Sequence, residues 1–189
     1  YDNDTYILVS DIDEIPNPGK IYDFINSKSN IGVFEQLFFY YKFNLFYNLM
    51  PWYGTKACKK KKLISFSWLR NLKTKKYPLW RLDTIFSNLK QRNLQIVETG
   101  GWHFTNLKTP EHMYEKFMNF GHHDEFKLSG LTVDKIREKI KNKEMLYNHF
   151  ADKTSTNKWK SDYKLKKVNE KILPTFLINN KNQFNEWFS

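Results

Sequence analysis

The stretch that most restricts the fold is Thr5–Ser10, TYILVS, an unbroken apolar and β-branched run stopped by acids and then by Pro16. A run of that length and composition reads as a fully buried strand. NPGKIYDFINSK follows, a helix with Ile21, Phe24 and Ile25 on one face. IGVFEQLFFYYKFNLF predicts one long strand or two in succession, and WYGTKACK a further strand in which Gly54 allows a close backbone approach. No element is assigned to residues 59–82, where Lys75, Lys76 and Pro78 mark a loop. LDTIFSNLKQRN then reads as a helix with Ile85, Leu89 and Phe86 inward, and LQIVETGGWHF as a strand running into a glycine pair. TPEHMYEKFMNFG carries a helix start at Thr109–Pro110 and a stop at Gly121, and TVDKIREKIKNKE a second helix from Thr132. The tail, ILPTFLINNKNQFNEWF, predicts a short extended piece and a terminal helix. Strands alternating with helices argue for an α/β sheet, and 189 residues for one domain, residues 1–189.

The first strand ends in Asp11-Ile12-Asp13-Glu14. Ligands of open α/β sheets bind beyond the carboxyl ends of the strands, so these acids lie where a ligand would be. Like charges held this close repel, and something positive is expected among them. Asp-x-Asp offers hard oxygen ligands to Mg²⁺ or Mn²⁺, ions that favour one or two carboxylates together with substrate phosphates. Surface acids of this kind are also common without any ligand.

Three further groupings carry chemical potential. In ETGGWHFTNL, Gly100 and Gly101 permit close approach to a ligand, Trp102 brings a flat face suited to sugar stacking, and His103 can ligate a metal or meet a phosphate. In FGHHDEF, His122 or His123 is a candidate metal ligand and Asp124 or Glu125 a candidate general base, against the plainer reading of a solvated loop. MPWYGTKA sets Trp52 and Tyr53 near Lys56, with core packing the alternative for the aromatics.

The net charge is +11, which points to polyanionic partners, and its densest cluster is KACKKKKL from Lys56 to Leu63. A solvated loop, a diphosphate-facing role or a peripheral membrane contact through Lys59–Lys62 all suit that cluster. Nucleic acid is the minority reading, because no RNP-type or zinc-knuckle pattern accompanies the charge. The single cysteine, Cys58, forms no intrachain disulfide and no cysteine-based zinc site. No apolar run reaches the roughly 18 residues that span a bilayer, and no charged-then-apolar leader precedes Thr5. A cytoplasmic location in a bacterial or virus-infected cell is therefore expected.

Taken in order, VSDIDEIPNP, WYGTK, GGWHFTNL, KFMNFGHHDEF and LPTFLINNKNQF resemble glycosyltransferase family 17, that of the bisecting N-acetylglucosaminyltransferase and its microbial relatives. The resemblance spans nearly the whole chain, and DxDEIP followed about ninety residues later by GGWHF is its specific part. It implies a GT-A-like nucleotide-sugar fold, with a mixed sheet flanked by helices. It also implies a divalent metal (Mn²⁺ or Mg²⁺), UDP-GlcNAc as donor, a glycan hydroxyl as acceptor, and inversion at the anomeric carbon. Asp11 and Asp13 match the family's Asp-x-Asp, with Asp13 on the metal and Asp11 on metal or ribose. Gly100, Gly101, Trp102 and His103 match the glycine-tryptophan-histidine element, and Lys56 and Arg70 are candidates to neutralise diphosphate charge. His122 near the metal and Asp124 or Glu125 as base match more loosely, because two registers fit. Family members carry a βα unit ahead of the first strand, so the chain is expected to be the C-terminal portion of a longer family domain. The rival expectation is a non-catalytic basic domain binding carbohydrate or nucleic acid, which leaves the strand-tip acids unexplained.

Overall fold

The structure, a computed structural model, describes residues 2–75, 77–78, 80–119, 121, 123–151 and 156–189. Seven strands are present among them: β1 (Tyr6–Val9), β2 (Glu14–Pro16), β3 (Ile31–Tyr40), β4 (Leu45–Phe46), β5 (Trp52–Lys59), β6 (Leu94–Thr105) and β7 (Lys166–Lys167). The α-helices are α1 (Pro18–Asn26), α2 (Phe66–Asn71), α3 (Pro110–Met118), α4 (His123–Leu128), α5 (Val133–Lys141) and α6 (Thr175–Asn179). The architecture is mixed α/β, with helices flanking a mixed sheet. The chain divides into two compact units, residues 1–38 with 49–103 and residues 39–48 with 104–189, and β3 and β6 contribute residues to both.

In the first unit β5 is the hub. It pairs antiparallel with β1 from Tyr6↔Lys59 to Val9↔Lys56, and antiparallel with β3 from Ile31↔Cys58, with a bulge between Val33 and Glu35. β6 joins β3 on its other side and receives β2 antiparallel. Ile31 packs with Leu94, Phe34 with Val97 and Phe38 with His103, so β3 and β6 advance in step and run parallel.

Residues of β3 point alternately to two faces, and both faces are buried. On one, Ile31, Val33 and Cys58 meet Trp68, Leu69 and Leu72 in and just after α2. On the other, Phe34 and Ala57 meet Phe24 of α1 and Val97. Cys58 is therefore a core residue, and burial pushes its thiol up to about 11. Phe24 seats directly on Gly32, where a Cβ would lie 2.5 Å from the ring. Asn17 caps α1 by accepting from the Gly19 amide, with Pro18 at its first position.

The second unit packs α3, α4 and α5 around Met113, Phe117, Phe126 and Ile136. Trp159 closes this cluster edge-on, with ring centroids 5.0 Å from both Phe117 and Phe126. Thr109 and Thr132 cap α3 and α5 as the sequence predicts. Tyr41, fully buried at φ +67°, accepts from the Leu146 amide and donates to the Glu144 carbonyl. Asn44 brackets the chain end by donating to the Ser189 carbonyl and accepting from the Ser189 amide. Among the described residues, no helix is long and apolar enough to cross a membrane.

Three expectations are corrected. β1 is half-buried, because β5 is its one pairing neighbour among the described strands. Residues 82–93 are no α-helix: a short 3₁₀ turn at Leu82–Thr84 leads into a loop that leaves Ile85 and Phe86 in solvent, Phe86 at 90% exposure, while Leu89 alone of the three packs inward. Side-chain bonds hold that loop against the helical alternative. Arg81 grips Asp83 with two bonds, Lys90 donates to Asp83, and Arg92 donates to the Thr84 hydroxyl. Conversely, the unassigned stretch contains α2, nucleated by Ser65 accepting from the Trp68 amide.

Gly32→Ala is expected to lower stability by about 1–3 kcal/mol through overpacking against Phe24. In a Phe24→Leu background the same change should cost markedly less, since the ring edge that it meets is gone. Urea unfolding of the four proteins measures that coupling.

Candidate functional site

Past Val9 the chain turns back through Asp11-Ile12-Asp13 into β2. The Glu14 amide donates to the Asp11 carbonyl at 3.0 Å, and the Glu14 carboxylate answers by accepting from the Asp11 amide at 3.0 Å. The other Glu14 oxygen accepts from the Trp52 indole N–H at 2.7 Å. Ser10 and Thr55 bond through their hydroxyls, and Gln36 donates to Thr55 at 3.0 Å. Glu14 is thus a buried acid held by two donors. Gly54 is what admits it: a Cβ there would lie 2.2 Å from the Gln36 amide oxygen and 2.8 Å from the Glu14 carboxyl carbon. The close approach expected at Gly54 is made by the chain's own side chains.

The three acids accordingly face three different partners. Asp11 receives a bond from Arg70 at 2.7 Å, which holds the guanidinium above its ordinary range. The Asp13 carboxylate lies 3.7 Å from Nδ1 of His103. Glu14 turns inward. Arg70 reaches Asp11 because it occupies the last turn of α2, the helix that packs against β5. The positive charge beside these acids is the Arg70 guanidinium, on Asp11.

β6 supplies that histidine. The register of β2 on β6 is Glu14↔His103, Ile15↔Trp102 and Pro16↔Gly101, and the Asn17 amide donates to the Gly100 carbonyl at 2.8 Å. Gly101 has φ +154°, and a Cβ there would lie 2.2 Å from the Ile15 carbonyl oxygen. The space left by this glycine is filled by β2. His103 is buried and stacked on Trp52, with ring centroids 4.2 Å apart and planes 7° from parallel. One face of Trp52 is therefore occupied by imidazole.

Between the acid turn, β5 and α2 lies a cavity of about 170 Å³ lined by Asp11, Glu14, Trp52, Gly54, Lys56 and Arg70. It is smaller than the roughly 300–1,000 Å³ of a site that engulfs a drug-sized ligand. Lys56 on its wall is buried, and its ammonium donates to the Arg70 and Leu72 carbonyls, the latter at 3.0 Å. It caps the C-terminus of α2 and so fixes the helix that carries Arg70. Burial pushes the Lys56 pKa down, offset in part by Glu14.

The remaining candidates belong to the second unit. Asp124 is exposed in the first turn of α4, 3.2 Å from Nε2 of His123. Glu125 forms an ion pair with Lys158, whose side chain is only 4% exposed and whose amine burial pushes down. His122 lies outside the described residues. Lys116 donates to the Asn106 side chain at 2.8 Å.

Among the described residues, no group of three or more His, Cys, Asp or Glu is placed to hold a metal ion. Asp11, bonded by Arg70, and Asp13, 3.7 Å from His103, are the acids displayed at the strand tip, and ions such as Mg²⁺ take one or two protein carboxylates and fill the rest of the shell with substrate and water. The site is thus a strand-tip acid turn facing a small cavity lined by two acids and two bases in an α/β sheet. No family model, curated protein or solved structure matches the chain.

Sequence reasoning had named Asp11, Asp13, Lys56, Arg70 and the Gly100–His103 segment, and the first unit contains all of them. It missed Gln36, Thr55 and Ser10, whose pattern is that of ordinary strand residues, and it missed the inward role of Glu14.

Lys56 makes stability depend on pH. Its folded pKa lies below the unfolded value of 10.5, so in that window the unfolded chain binds more protons and stability rises with pH. Lys56→Met removes this slope. The wild-type stability minus that of the variant is expected to grow between neutral pH and 10.5, as read by urea midpoints along the pH series. Trp52→Phe keeps the stacked ring but strips Glu14 of a donor, and is expected to cost about 1–3 kcal/mol in thermal or urea unfolding.

Proposed function

We propose that the chain is a metal-dependent, inverting glycosyltransferase of the family 17 type with a GT-A-like fold, moving GlcNAc from UDP-GlcNAc to a glycan hydroxyl. The observation that supports this most is the pairing of β2 with β6. It sets Glu14, Ile15 and Pro16 of DxDEIP against His103, Trp102 and Gly101 of GGWHF, although the two stretches are far apart in the chain.

Asp11 and Asp13 would hold Mn²⁺ or Mg²⁺, which when bound supplies positive charge to the leaving diphosphate. The chain's own residues do the rest. Arg70, exposed and tethered to Asp11, offers its remaining N–H groups to phosphate oxygens. Lys56 sets the position of α2 and lends charge to the cavity wall. His103, packed between Phe38 and Trp52, keeps its Nδ1 edge toward Asp13 and orients that carboxylate. Trp102, partly exposed on β6, offers a face for a sugar ring. The resemblance assigns the base to Asp124 or Glu125. Both belong to the second unit, Glu125 in an ion pair with Lys158 and Asp124 exposed beside His123.

Calorimetric titration of UDP-GlcNAc tests this reading. Binding is expected with Mn²⁺ and should weaken about tenfold or more with EDTA or in the Asp13→Ala variant. Equal affinity under all three conditions would sink the metal-bridging role. A preference for oligonucleotide over UDP-sugar, lost steeply with salt, would establish the basic binding domain instead.

A further inference from the structure

The charge of this chain is concentrated in one segment. Residues 59–92 hold eleven Lys and Arg and a single acid, Asp83, in a protein of net charge +11. The same segment exposes several large apolar side chains. Trp80 is 76% exposed and Phe86 90%, with Leu82 and Ile85 between them also in solvent, and Ile64 and Phe66 exposed at the start of α2. The two ends of the segment are fastened to each other: the Trp68 indole donates to the Asn88 carbonyl at 2.8 Å, the Lys73 amide donates to the Leu89 carbonyl at 2.9 Å, and Leu63 and Leu89 pack on the same core cluster. Lys60, Lys61 and Lys62 lie immediately before Ile64, and Lys73 and Lys75 follow α2, all exposed.

Side-chain bonds hold the loop that carries Trp80 to Phe86. Arg81, Asp83, Lys90, Arg92 and Thr84 bond to one another, while Leu82, Ile85 and Phe86 are turned away from that network into water. A bonded scaffold that displays apolar side chains costs solvation unless something covers them.

We propose that this face docks on an anionic lipid surface, with Trp80, Leu82, Ile85 and Phe86 entering the headgroup–acyl boundary and the surrounding lysines meeting lipid phosphates. The mixture of residues selects lipid over the other polyanion, nucleic acid. Aromatic rings stack on bases and basic groups pair with a phosphate backbone equally well, but exposed Leu82, Ile85 and Ile64 gain nothing from a base stack and gain from an acyl layer. Aromatic anchors with clustered lysines are the composition of interfacial binding, in which charge attracts and apolar side chains hold. The inference does not depend on the activity proposed above.

The test is co-sedimentation of the full chain with phosphatidylcholine vesicles containing about 30% phosphatidylserine, compared with phosphatidylcholine alone. Binding is expected to the anionic vesicles and to be lost on pure phosphatidylcholine. Ile85→Ser/Phe86→Ser should lower the partition about tenfold or more with an unchanged melting curve, since both side chains are already in water. Neutralising Lys60, Lys61 and Lys62 to Gln should lower it about fivefold per charge. Failure to sediment with anionic vesicles overturns the proposal, and so does anionic binding that the serine pair leaves unchanged. Lipid-free, concentration-dependent dimerisation abolished by the serine pair would make the face a contact between copies. Single-stranded RNA binding weakened by the serine pair, without vesicle binding, would assign it to nucleic acid.

Discussion

Everything at the strand tip depends on one buried carboxylate. Glu14 accepts from the Trp52 indole and from the Asp11 amide, and these two bonds close the turn in which Asp11 and Asp13 are displayed. An acid this deeply buried is stable only when its oxygens are matched by donors, and those donors come from β5 and from the turn itself. The same bonds orient Trp52, whose ring carries His103, and the imidazole then faces Asp13. The acids are thus a hierarchy: the innermost organises the turn, and the outer two remain accessible.

Around that carboxylate the positive groups are divided between support and display. Lys56 is turned onto the Arg70 and Leu72 carbonyls at the end of α2 and works as a cap, while the Arg70 side chain stays in solvent on Asp11. Burial explains the division. A desolvated ammonium needs fixed acceptors and finds them in backbone carbonyls, whereas an exposed guanidinium can exchange a carboxylate for a phosphate at little cost. Position in the fold, more than side-chain type, separates the structural cation from the ligand-facing one.

Much of the framework was legible from local pattern. α1 was legible through the spacing of Ile21, Phe24 and Ile25, and α3 and α5 through their starts at Thr109 and Thr132, because a capping side chain bonds an amide only three residues away. β3, β5 and β6 were legible as apolar, β-branched runs. The failures have a common origin. Ile85 and Phe86 follow a helical apolar spacing, but bonds from Arg81, Lys90 and Arg92 to Asp83 and Thr84 hold their segment as a loop. In α2 the apolar positions were too few to show a period, and the helix is held by Ser65 at one end and Lys56 at the other.

By itself the sequence determined the alternation of strands and helices, the acids after β1, the glycine pair in β6 and the concentration of basic charge in residues 59–92. These rest on neighbours along the chain. Only the tertiary structure decided that Glu14 is inward and Asp11 outward, that His103 lies against Trp52, that Arg70 meets Asp11, and that Trp80 and Phe86 are left in water. The physical reason is one of distance. Side chains separated by tens of residues are assigned partners by strand register and helix packing, and a one-residue change of register would exchange the buried and exposed faces.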